Sequence, residues 1–368
     1  MVYDYSQIEK VFCCGDIHGE FKTFFNKIKQ QVSTTTDIEG VDDDHPLVIE
    51  EKQKNEAKGG NITPRPMFVF QGNGFKKRDT YNNSVIFVTG DCGFGFNKPQ
   101  YYVDLLTKYN KLFESTNTTI FFIRGNHDDA AYFDGEMINF SHIKAIPDYS
   151  VVKTQQLSTL CVGGAISIDR LWRKQHEVLI NKYKKHSPKK LYWENEACVF
   201  DETQLNELLA NGITIDSVIT HSAPKFAPPT SKKDIGKWIK LDKNLKHDID
   251  KERNELAKLH TYLVQNKQIL RFWSYGHFHQ FTNTTTENDG TTTVFLGCAD
   301  NFHIMSPLEE IASSRPFDMS TFDWESLSIQ QAPHHRVNMP FDVGRMVEAL
   351  GEVEGEQTQD LLIDGDVF

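Results

Sequence analysis

No apolar run in this chain approaches the ~20 residues a membrane-crossing helix needs. Its first residues carry Asp4 and Glu9 where an export signal would be basic and then apolar. A soluble, cytoplasmic protein is therefore expected. Cys-x-x-Cys is missing as well, and Cys13, Cys14, Cys92, Cys161, Cys198 and Cys298 show no short disulfide-like spacing. Reduced, buried thiols are expected, rather than a thiolate metal site or a redox pair. Positive charge is also short: 40 Lys and Arg face 51 Asp and Glu, a net charge of -11. That balance argues against a general electrostatic grip on nucleic acid or an anionic membrane and leaves room only for a local basic patch. No internal repeat is present.

What is there suffices for a full core. Of 368 residues, 39% are hydrophobic, enough for one large domain. Runs of β-branched and aromatic residues at Lys10 to Asp16, Val85 to Thr89 and Thr119 to Ile123 read as strands. The first is followed by Phe21, Phe24, Phe25, Ile28 and Val32 at helical spacing, and the second by an apolar stripe within Pro99 to Glu114. Further strands are expected at Leu160 to Ala165, Ser217 to Thr220, Leu270 to Tyr275 and Thr292 to Leu296. Helices are expected at Glu202 to Ala210, opened by Asp201 with Gln204 and closed by Gly212, and at Asn244 to Gln265.

Such strand, loop and helix units describe an α/β sheet with its site at the carboxyl ends of the strands. The domain is assigned to residues 1–340. Two stretches interrupt it: 33–83, polar and broken by Pro64 and Pro66 with a candidate strand at Met67 to Gln71, and 169–199, which reads as a cap. Residues 341–368 form an acidic tail.

Five segments end in Asp, Asn or His, mostly just past a strand: Gly15-Asp16-Ile17-His18-Gly19, Gly90-Asp91, Gly125-Asn126-His127-Asp128, Thr220-His221 and Gly276-His277-Phe278-His279. Each alone is weak, since Gly-Asp is a common turn and a lone His is more often a core or surface residue. Their joint order carries the information. Carboxylate, amide oxygen and imidazole suit hard or borderline divalent ions such as Mn, Fe, Zn or Mg. Two such ions a few ångströms apart can share a carboxylate and clamp the oxygens of an in-line displacement, which is chemistry for phosphate esters. Asp16-x-His18 and His277-x-His279 would each place two side chains on one face if locally extended, and the glycines would permit sharp turns.

At these residues the chain resembles the calcineurin-like metallophosphoesterase superfamily, motif by motif and in the family's order, over residues 10–300. The runs from Arg124 to Phe133, from Gly163 to Arg173 and from Thr220 to Pro224 are further similar to an uncharacterised bacterial and phage branch of it. The resemblance implies a four-layer α/β/β/α sandwich of two mixed sheets flanked by helices, with a dinuclear metal site at the carboxyl ends of the strands. One ion, with Mn favoured, would take Asp16, His18, Asp91 and His279; the other would take Asp91, Asn126, His221 and His277. A metal-bridging hydroxide would attack phosphorus, while His127 would protonate the leaving oxygen or hold charge on the phosphoryl group.

His18 at the first motif leaves both phosphodiesters and monoesters open. Phosphoprotein phosphatases of the family follow Gly-Asp with an Asp and an Arg, whereas here Gly90-Asp91 continues Cys92-Gly93-Phe94-Gly95. The resemblance therefore leans to a phosphodiester or nucleotide-type substrate, with a phosphomonoesterase as the alternative and a non-catalytic scaffold as the remote one. Arg124, Arg170 and Arg173 are candidates for binding phosphate. Trp172, Tyr192 and Trp193 are either cap core or a stacking surface for a base. Substrate identity and oligomeric state stay open.

Overall fold

The computed structural model describes residues 1–32, 68–71, 74–77, 80–183, 189–232, 235–288, 290–299 and 304–308. Most of the 33–83 stretch and the whole acidic tail therefore lie outside the described residues. In chain order the first half comprises β1 (Val2–Tyr5), β2 (Lys10–Cys14), α1 (Phe21–Lys29), β3 (Phe68–Gln71), β4 (Gly74–Lys77), β5 (Ser84–Val88), α2 (Pro99–Ser115), β6 (Thr118–Phe122), β7 (Ile143–Ala145), β8 (Ser150–Thr154) and β9 (Ser158–Val162). After it come α3 (Arg170–Tyr183), α4 (Glu202–Ala210), β10 (Ser217–Thr220), α5 (Ile235–Leu241), α6 (Leu245–Gln265), β11 (Phe272–Tyr275), β12 (Thr282–Asn288), β13 (Thr291–Gly297) and β14 (Ile304–Met305).

One sheet has seven strands in the order β1-β8-β9-β10-β11-β13-β12 and another has five in the order β14-β2-β5-β6-β7, while β3 and β4 form a separate hairpin. Both large sheets are mixed. In the smaller, β2, β5, β6 and β7 run parallel and β14 is antiparallel to β2. In the larger, β9, β10, β11 and β13 run parallel, with antiparallel pairs β8/β9 and β12/β13.

The layering follows from side-chain alternation along strands buried on both faces. Val11, Cys13, Val85, Phe87, Phe121 and Ile123 point toward the larger sheet and meet its Val152, Cys161, Ile219, Phe272 and Leu296. Their alternates, Phe12, Cys14, Ile86, Val88, Ile120 and Phe122, face outward onto α1 and α2. On the far side, Leu160, Val162, Val218, Trp273 and Phe295 pack against Leu205 and Leu208 of α4 and Leu256, Leu259 and Leu263 of α6. The result is helix, sheet, sheet, helix, as the resemblance implied. Each large apolar side chain so buried contributes about 1.5–3 kcal/mol.

The helices use the expected residues. In α1, Phe21, Phe24, Phe25 and Ile28 form the buried stripe. In α2 it is Tyr102, Leu105, Leu106, Tyr109 and Phe113, behind a Pro99 start that needs no N–H. Asp201 caps α4 by accepting the Gln204 N–H at 3.0 Å. All six cysteines are free and buried. Burial pushes the Cys13 thiol up to about 12, so it is inert as a nucleophile.

Candidate metal centre

The parallel strands of both sheets deliver their loops to one place. β2 leads to Asp16 and His18, β5 to Asp91, and β6 to Asn126 and His127, all from the smaller sheet; β10 leads to His221, and β11 to His277 and His279, from the larger. The loops lock directly to one another. The N–H groups of Ile17 and His18 donate to the Asp91 carbonyl at 3.2 and 2.8 Å, Gly276 N–H donates to the His221 carbonyl at 3.0 Å, and His277 N–H reaches Asp16 Oδ1 at 3.1 Å.

Three overlapping groups of side chains could each hold an ion: Asp16, His18 and His279; Asp91, His221 and His277; and His18, Asp91 and His127. In each, the offered atoms lie within 4.8 Å of one another. His279 Nε2 is 3.4 Å from Asp16 Oδ2, and His221 Nε2 is 3.1 Å from Asp91 Oδ1. Asn126 Oδ1 lies 2.9 Å from both His221 Nε2 and His277 Nδ1. Asp91 belongs to two of the groups, as a bridging carboxylate would. The seven expected ligands are thus brought together.

Two observations show that this donor set fits divalent ions. Asp91 Oδ2 and His18 Nε2 are buried atoms without a hydrogen-bond partner among the described residues, a costly state unless something else occupies their lone pairs. In addition, His221 Nδ1 sits 2.8 Å from the Thr89 carbonyl, which fixes its proton there and leaves Nε2 free to ligate.

The ligand loops are not extended, contrary to the sequence expectation. His18, Asp91, His277 and His279 have φ of 45°, 47°, 66° and 55°, in the left-handed region that costs a non-glycine residue about 1–2 kcal/mol. The loops turn their ligands inward through these residues themselves. The glycines, meanwhile, serve close approach as much as turning. A Cβ on Gly125 would lie 2.0 Å from the Asp91 nitrogen, and one on Gly276 would lie 2.2 Å from Asp16 Oδ1.

His127 is placed against Asp91, whose Oδ1 accepts its backbone N–H at 2.9 Å. Its ring faces Arg173, whose Nη2 lies 2.6 Å from Nε2 and 2.8 Å from Nδ1, while Arg173 Nε donates to Asp169 Oδ1 at 2.8 Å. Arg173 therefore reaches the centre from the first turn of α3. The other two arginines do not take the expected place. Arg124 Nη1 donates to the carbonyls of Asn195 and Glu196, and Nη2 donates to the Asp148 carboxylate and the carbonyls of Gly163 and Ala197. Arg170 is held by Asp242 at 2.7 Å and Asp248 at 2.6 Å, tying α3 to the segment around α5 and α6. Tyr192 and Trp193 are buried in the cap, and Trp193 lies across Gly95.

Several further contributors are given no role by the sequence reading. Asp128 accepts N–H bonds from Cys92, Gly93, Phe94 and Gly125 at 2.7–3.0 Å and so shapes the loop after Asp91. Ser167 and Glu196 stand behind Asn126. Lys232 lies in the field of Asp91, Asp16 and Asp169, though burial lowers its proton affinity overall. In sequence Lys232 stands in a Ser-Lys-Lys-Asp run that the motifs do not include.

Electrostatics divide the histidines. Burial lowers the proton affinity of His18, and that of His277 and His127 more strongly; Arg173 adds to the effect at His127. His221 is also buried, yet Asp91 and Asp16 outweigh burial and raise it to about 9. Burial opposes ionisation of Asp91, but the surrounding histidines hold it well below the usual carboxylate range.

A family profile described as calcineurin-like phosphoesterase matches residues 9–281. The chain belongs to that family. This phosphoesterase is accordingly a hydrolase of phosphoric esters from a family that binds two metal ions, and its matched span holds every candidate ligand. No curated protein matches the chain. Among its described residues no helix is long and apolar enough to cross a membrane.

Proposed function

We propose that this phosphoesterase hydrolyses phosphodiester or nucleotide-type substrates, with Mn as the preferred ion at both sites. When bound, the ions would supply Lewis acidity and a water acidified toward neutrality. Asp16, His18, Asp91 and His279 would hold one of them, and Asp91, Asn126, His221 and His277 the other.

The observation that carries the substrate reading is the loop after Asp91. Where the family's protein phosphatases place Asp and Arg, residues 92–94 give their backbone N–H groups to Asp128, and Gly95 lies under Trp193. No charged side chain of this loop is offered to a phosphate dianion. The His18 side chain, by contrast, is 31% exposed.

The chain's own groups account for recognition. Arg173 can only donate, so a ring nitrogen of His127 facing it must accept, which keeps that imidazole neutral. Both ring nitrogens of His127 lie against Arg173 Nη2, so the pair would hold charge on a phosphoryl group together. Asp169 keeps the guanidinium in place. Buried free thiols support a reducing, cytoplasmic setting.

A second reading, a phosphomonoesterase, draws on Lys232. Together with Arg173 it would put two cations beside the centre, as a dianion would want. Hydrolysis of an aryl phosphodiester and an aryl phosphomonoester by Mn-loaded protein separates the two. Asp91→Asn is expected to lose at least about 10²-fold on both esters; equal rates in wild type and variant would sink the assignment. His18→Asn is expected to lose diester turnover preferentially, and equal retention of both activities removes the diesterase reading.

A further inference from the structure

Asn126 is the one proposed ligand whose side chain offers the centre either an oxygen or an amide nitrogen. Turning its amide by half a revolution exchanges an oxygen that can ligate an ion for a nitrogen that cannot. Oδ1 faces His221 and His277, while Nδ2 donates to Ser167 Oγ at 2.8 Å. Whether the amide stays that way depends on what Ser167 does with its single hydroxyl proton.

That proton is committed elsewhere. Ser167 Oγ donates to Glu196 Oε2 at 2.5 Å, and Glu196 Oε1 accepts the Ser167 N–H at 3.1 Å and the Tyr192 hydroxyl at 3.3 Å. Burial raises the Glu196 carboxyl to about 7; above that pH it is a carboxylate, which only accepts. Ser167 can therefore meet Asn126 with lone pairs alone, and the amide must present its NH₂ to the serine and its oxygen to the centre. Asn126, Ser167 and Glu196 are all buried, so bulk water has no access to the chain of bonds. In a low-dielectric interior a reversed amide would leave two donors facing His221 and His277 and two acceptors facing each other at Ser167.

We propose that Ser167 and Glu196 are positioning residues for the metal ligand Asn126, which makes these two side chains part of the metal centre. This rests on the reading of Asn126 as a ligand. Neither residue touches substrate; both act by orienting one amide.

The test is Mn titration of the metal-free full-length chain by calorimetry at about pH 8, where a buried carboxyl of moderately raised proton affinity is ionised. Electron paramagnetic resonance of the loaded protein reports whether two ions are paired. Wild type should take two ions. Ser167→Ala and Glu196→Ala should weaken one of them by about 10–100-fold and leave the other unchanged. Ser167→Thr and Ser167→Val fill nearly equal volume and differ in the hydroxyl, so Thr should keep the paired signal and Val should lose it. Glu196→Gln, which offers one oxygen instead of two, should fall between wild type and Glu196→Ala.

Wild-type binding at both sites in Ser167→Ala and Glu196→Ala overturns the proposal, as does indistinguishable behaviour of the Thr and Val variants. Equal weakening of both sites in every variant also overturns it, because that marks a general packing role. Fewer than two ions in wild type removes the metal reading itself. Two ions in wild type with unaltered variants remove only the positioning role.

Discussion

Asp128 shows how much one side chain sets at the residue scale. Its carboxylate gathers four backbone N–H groups, yet burial, aided by Asp91, raises its pKa to about 6. Asp128→Asn puts an NH₂ against donors and should cost about 2–3 kcal/mol, seen as a lowered denaturant midpoint of the metal-free protein, with slower phosphoester hydrolysis as the 92–95 loop relaxes. Glu252 is a second case. It is buried on α6, and burial raises its carboxyl to about 7 from an ordinary 4.5. The folded state thus holds this proton more tightly than the unfolded chain does. Its stabilising contribution is full below about pH 4.5 and is lost as pH rises to about 7. Glu252→Gln should flatten that part of the stability–pH profile and make the metal-free protein more stable than wild type at alkaline pH, by about 1–3 kcal/mol in urea unfolding.

At the scale of elements, the loop after β10 depends on a residue from α6. Arg253 donates to the carbonyls of Ala223, Pro224, Ala227, Pro229 and Thr230 at 2.6–3.1 Å. It holds the stretch running from His221 toward Lys232. Lysine cannot reproduce this fork, so Arg253→Lys should leave several carbonyls unpaired and cost about 2–4 kcal/mol. Thermal unfolding measures that loss, and limited proteolysis should show new cleavage between 223 and 232. The cap helix α3 hangs on fewer ties, chiefly Arg170 to Asp242 and Asp248. Arg170→Ala should raise KM more than it lowers kcat, since Arg173 must then be brought to His127 by substrate.

The strands and helices that carry the ligands were readable because their signals are local. Lys10 to Asp16 alternates between two apolar faces, and Phe21, Phe24, Phe25 and Ile28 recur at helical spacing. The helix Glu202–Ala210 was bounded correctly by Asp201 and Gly212 for the same reason. What could not be read depends on contacts between distant segments. Arg124 looked like a phosphate ligand from its place beside Gly125, but its partners, Asp148 and residues 195–197, are fixed only by the fold. Asp16-x-His18 looked like a strand end because alternation describes strands; the left-handed turn at His18 comes from its pairing with the Asp91 carbonyl. Likewise Asp128, Ser167, Glu196 and Lys232 belong to the centre only through tertiary placement.

For the whole molecule, the centre joins the two sheets. Asp16, Asp91 and Asn126 come from one, and His221 and His277 from the other, with the carboxylates of Asp16 and Asp91 both buried. Ions binding only the folded form should therefore stabilise it by about 2.7 kcal/mol at a hundred times their Kd. A higher Tm in Mn than in chelator, absent in Asp91→Asn, is the expected result. The exposed faces of His18 and His279, 31% and 32%, contrast with His221 and Asp91, which are fully enclosed. Exchange would therefore be unequal: an ion held by His18 and His279 would lie near water, while one held by His221 would be enclosed by protein. A chelator should strip this enzyme in two kinetic phases, and between them lies a half-loaded species that a second metal could enter from one side.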